Sequence, residues 1–145
     1  MKTAYWIGTV AALAVLSSAA FSQSLQVREK MASEDANLIK HADSTNQVCG
    51  TAIPIKFDWT GAKGEDVVKW SVSGTCDSAL DGIREVCRTP AGKAAVKEKI
   101  KSITCGFGTP REVTLKGGAF SYNIDFEAGS NVVADSVHKY LQEQL

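Results

Sequence analysis

Four cysteines limit what this chain can fold into more than any other feature of it. Cys49, Cys76, Cys87 and Cys105 form an even set, which reads as two disulfides in an oxidising compartment. Zinc sites draw their thiolates from close C-x-x-C pairs. The successive gaps here are 27, 11 and 18 residues, so a metal site is not expected, and no C-x-x-C-H haem attachment is present.

The N-terminus points to the same compartment. Lys2 supplies a positive start, residues 4–16 (AYWIGTVAALAVL) are apolar, and residues 17–23 (SSAAFSQ) offer the small side chains that signal peptidase needs. Residues 1–22 therefore read as a cleavable signal peptide, cut after Ser22. The apolar run falls short of the roughly 20 residues that cross a bilayer, so no stable membrane insertion is expected after cleavage. The mature chain, residues 23–145, should be one periplasmic or secreted domain.

Local patterns fill in that domain. Val27, Met31, Leu38 and Ala42 share a helical face, which predicts a lead-in helix over residues 23–42, starting at Leu25 or at the Ser33 cap and followed by a DSTNQ loop at 43–47. Ile53, Ile55, Phe57 and Trp59 alternate as a strand does, and VVKWSVS at 67–73 reads as its hairpin partner, with a helical turn as competitor. Ser78 should begin a helix ending before Pro90, with Cys87 on its inner face. Thr89 and Pro90 make an N-cap and first-turn pair for another. Three alternating runs follow, at 103–107, 111–116 and 119–126, separated by Gly108-Thr109-Pro110 and Gly117-Gly118. They predict an antiparallel β-meander packed against helices, an α+β fold, closed by a helix capped by Ser130.

Geometry narrows the disulfides. Cys76 and Cys87 are 11 residues apart on one predicted helix, hence roughly 16 Å at a rise of about 1.5 Å per residue, and a bridge needs Cα atoms within about 7 Å. Two connectivities remain. The proposed hairpin brings Cys49 to Cys76 and leaves Cys87 for Cys105, which is the preferred pairing. Two helices folded back at Pro90 favour Cys49 with Cys87 and Cys76 with Cys105 instead.

Chemistry is sparse. No G-x-S-x-G, H-E-x-x-H or phosphate-cradling loop occurs, and disulfide sulfurs are not nucleophiles. No catalytic residue, cofactor or metal is assigned. The turn acids Asp58, Glu65 and Asp66 read as solvated. A histidine-based acid-base or metal centre would need His41, at a helix end, and His138 brought together; His138 lies one turn from Asp135, which could orient it, and reads first as a surface histidine. Sixteen basic residues balance sixteen acidic ones, so nothing draws the chain as a whole to nucleic acid. Two surface features remain: Trp59 and Trp70 either side of a glycine-rich turn, and the stripe Lys93, Lys97 and Lys101. They predict an exported, non-catalytic binding or accessory protein with a protein partner in the periplasm, such as an inhibitor of a hydrolase or an envelope-associated factor. The alternative is a small periplasmic hydrolase using His138 with a carboxylate or serine.

Overall fold

Residues 24–128 and 133–145 are described by the computed structural model; the signal segment and the Ser130 cap lie outside them. The order is α1 (Leu25–Cys49), β1 (Ile55–Phe57), α2 (Gly64–Lys69), α3 (Val72–Val86), α4 (Pro90–Lys99), β2 (Ser102–Phe107), β3 (Val113–Lys116), β4 (Ala119–Ile124) and α5 (Ala134–Gln144). Among these residues no helix is long and apolar enough to cross a membrane.

The first helix is longer than its pattern suggests. Ser24 caps it by accepting Val27 N–H at 3.3 Å, and it runs through the expected 43–47 loop to Gly50, whose positive φ of 66° ends it. The turn-forming side chains are used inside the helix instead. Thr45 Oγ1 donates to the His41 carbonyl at 2.8 Å, and the Asn46 amide holds both the N–H and the C=O of Ile53. Ser33 starts nothing, and its neighbour Glu34 is buried.

The expected hairpin is absent. Residues 67–69 end α2 and residues 72–73 begin α3, with Val67 and Val72 buried and Ser71, rather than Ser78, capping α3 through Gly74 N–H. A strand here would put Val67 and Val72 on opposite faces and expose one of them, whereas two short helices bury both. α4 starts as its Thr89-Pro90 signal predicts, with Thr89 Oγ1 accepting Gly92 N–H at 3.0 Å.

The sheet is mixed, and this corrects the antiparallel meander. Its order is β1-β2-β4-β3, with β1 and β4 both parallel to β2 and only β3 antiparallel to β4. Gly117 and Gly118, at φ of 56° and 85°, make the tight β3–β4 hairpin. Residues 108–112 then have to carry the chain past the place where β4 lies. Alternation correctly chose the inward residues Ile103, Cys105, Phe120, Tyr122 and Ile124, all buried. It carries no information about which strand lies beside which.

At the centre lies α3, where Val72, Cys76, Ala79, Leu80 and Ile83 are all fully buried. α1 runs parallel to it, because Glu34 meets Ser73, His41 meets Asp77, Thr45 meets Arg84 and Cys49 meets Cys87 in the same order along both helices. α5 crosses α3 at Gly82, where an added Cβ would stand 2.6 Å from the Ala134 carbonyl and from Val137 Cβ. The disulfides are therefore Cys49–Cys87 and Cys76–Cys105, correcting the preferred pairing. Two parallel helices bring their C-terminal ends together, so Cys49 finds Cys87, while Cys76 in the first half of α3 faces β2.

Candidate functional site

Parallel strands place their carboxyl ends at one end of a sheet, and clefts beyond such ends are common ligand sites. Here β2 and β4 end together at Phe107 and Ile124, and β1 ends beside them at Phe57, level with Cys105. Beyond them α2 closes over a cleft of 50 Å³ lined by Gly61, Lys63, Asp66, Phe107, Asp125, Phe126 and Glu127 among others. Gly61 permits the close crossing: its φ is 83°, and a Cβ there would lie 3.2 Å from the Phe107 carbonyl.

The two tryptophans of the sequence reading converge on this cleft through partners that the sequence did not announce. Trp59 stacks on Phe107 at 5.2 Å and 18°, and its Nε1 donates to Asp35 Oδ1 of α1 at 3.2 Å. Trp70 stacks on Phe126 at 5.9 Å and 9° and remains 42% exposed, with the Lys69 ammonium 4.8 Å from its ring centre. Each phenylalanine lining the cleft is thus backed by a tryptophan. Phe107 is the last residue of β2, in CGFG, and Phe126 lies two residues past β4, in IDFE; an aromatic that continues a strand's inward alternation to or beyond its end is the signal that could have found them.

Polar groups complete the cleft. Lys63 Nζ lies 2.6 Å from Glu127 Oε1, and the carboxylate beside it holds its ammonium above the ordinary lysine range. Asp125 is 6% exposed, and its Oδ1 accepts Glu127 N–H at 2.9 Å.

The lysine stripe lies at the opposite end. Lys93, Lys97 and Lys101 are all exposed, and Lys97 and Lys101 border a 400 Å³ groove against residues 50–53. Lys101 Nζ donates to the Lys97 carbonyl at 3.0 Å, so part of the stripe caps the negative end of α4.

The histidines are separated. His41 Nδ1 lies 3.1 Å from Asp77 Oδ1, which also receives Arg84 Nη2 at 2.7 Å. Burial would lower the Arg84 pKa, but Asp77 and Asp81 outweigh it and raise it. His138 borders a 580 Å³ groove between α3, α4 and α5 that also holds Glu85 and Thr89. Glu85 is paired with Arg88 at 2.7 Å and the Thr89 hydroxyl is engaged as the α4 cap. Among the described residues no group of three or more metal-ligating side chains forms.

These features define a small α+β domain stapled by two disulfides, with paired aromatics and carboxylates at the strand ends. Comparison with protein-family models, curated proteins and solved structures finds no match for this chain.

Proposed function

We infer that this is an exported, non-catalytic binding protein, an inhibitor or envelope-associated accessory, that takes a periplasmic protein partner at the strand-end cleft. The observation carrying this reading is the pair of stacks, Trp59 on Phe107 and Trp70 on Phe126, on the lining of one cleft. Aromatic side chains dominate binding energy at interfaces because they bury large area with few rotatable bonds. The exposed Trp70 is the side chain best placed to act as such an anchor. The N-terminal pattern and the two disulfides support export.

Affinity capture tests the reading. The mature protein immobilised in periplasmic extract should retain a stoichiometric partner that its Trp70→Ala variant loses. A partner retained equally by both would contradict the site, and turnover of an ester or peptide substrate abolished by His138→Ala would favour the hydrolase alternative.

A further inference from the structure

The strand-end cleft, taken as the binding site inferred above, has a charge imbalance that bears on what it binds. Lys63 and Glu127 satisfy each other. Asp66 and Asp125 also line the cleft and take part in no ion pair among the described residues. Asp125 is the more telling, because it is more than nine-tenths buried and the hydrogen bond it accepts among the described residues, from Glu127 N–H, comes from a neutral donor. A carboxylate largely withdrawn from water is costly to hold charged, and an incoming cation relieves that cost. Beyond the lining, Asp58 after β1, Glu65 in α2 and Glu112 before β3 add carboxylates at the same end, against Lys56 beside Asp58, Lys69, and Arg111 beside the Tyr122 phenol.

The protein's own lysines show how an ammonium is held here. Lys63 is held by a carboxylate at 2.6 Å, and Lys69 lies over the Trp70 ring at 4.8 Å. Ring faces attract cations through their negative quadrupole. Size narrows the ligand further. A water occupies about 10–15 Å³ of such space, so the cleft's 50 Å³ admits the head of a side chain and not a whole metabolite.

We propose that this end docks a lysine- or arginine-bearing segment of the partner protein, one cationic head entering the cleft toward Asp66 and Asp125 and another lying on the Trp70–Phe126 stack. Lys63 competes with the incoming head for Glu127, so it sets an upper limit on affinity.

Calorimetric titration of the mature protein with hexalysine, against hexaglutamine, tests this at low salt. Hexalysine should bind and hexaglutamine should not, and added salt should weaken the binding. The Glu65→Gln/Asp66→Asn double variant should bind about fivefold more weakly and Lys63→Gln about threefold more tightly, while Glu143→Gln on α5 leaves affinity unchanged. If the double variant fails to fold, Trp70→Ala carries the test, with the same fivefold loss expected. Equal affinity for the two peptides, or for wild type and the cleft variants, overturns the proposal. So does a low-salt dimer dissolved by Lys97→Gln and Lys101→Gln, since the occupant is then the lysine-rich end of a second copy. If hexalysine does not bind but a captured partner still depends on Trp70, the cationic ligand fails and the binding site stands; if neither depends on Trp70, both fail.

Discussion

Glu34, in the middle of α1, accepts the backbone N–H of Ser73 on its Oε2 at 2.7 Å, across 39 residues of chain. Ser73 lies in the first turn of α3, where helical N–H groups have no partner of their own. A carboxylate there satisfies one of them and meets the positive end of the helix dipole. Lys30, one turn earlier on α1, braces the same carboxylate at 2.5 Å. The start of the central helix is thus capped by a side chain from its parallel neighbour, while a disulfide joins the other ends of the pair.

This contact should make stability depend on pH. Burial alone would raise the pKa of Glu34, but the Lys30 ammonium and the Ser73 hydroxyl and N–H outweigh it and hold it below its ordinary 4.5. A carboxylate with a depressed folded pKa stabilises fully above the unfolded value and loses that contribution as pH falls through the folded one. Glu34→Ala should cost about 2 kcal/mol in chemical denaturation at pH 7. The difference between variant and wild type should shrink below pH 4.5; a difference that stays constant down to pH 2 (roughly two pH units of carboxylate titration) would contradict the assignment.

Reduction should be severely destabilising. The bridges close loops of 38 and 29 residues, and chain entropy assigns each about 4 kcal/mol. Non-reducing peptide mapping should recover Cys49 joined to Cys87 and Cys76 joined to Cys105. A fragment joining Cys49 to Cys76 would refute the parallel arrangement of α1 and α3.

The sequence made much of this fold legible, and the limits of that reading are physical. Local signals held where the chain decides locally: Thr89-Pro90 starts α4, Gly117-Gly118 turns β3 into β4, and Ile103, Cys105, Phe120 and Tyr122 face inward. What failed was long-range. Nothing local to residues 67–73 shows that Glu34 waits to cap a helix there. Strand alternation is the same whether β2 pairs with β3 or with β4. Since the disulfide choice rested on the hairpin at 53–73, the loss of that hairpin carried the pairing with it. The site followed the same division: Trp59 and Trp70 were legible as candidates, but their partners Phe107 and Phe126 come from strand ends that only the tertiary fold brings beside them.

The outer edge of the sheet offers a third test. Leu115 N–H on the edge strand β3 donates to the Tyr140 hydroxyl of α5 at 2.8 Å. An open strand edge invites pairing with another chain. Tyr140→Phe should therefore cost about 1 kcal/mol and raise the rate of aggregation on mild heating. Unchanged thermal stability and unchanged light scattering would show that the phenol is dispensable to the edge.

The binding surface itself is most directly tested by hydroxyl-radical footprinting of the mature protein with and without periplasmic extract. Trp70, which is 42% exposed, and Phe126 beside it should lose reactivity in the extract, while His138 and Leu145 in the groove between α3, α4 and α5 keep theirs. Protection of His138 and Leu145 with Trp70 unchanged would contradict the strand-end site and move the function to that groove.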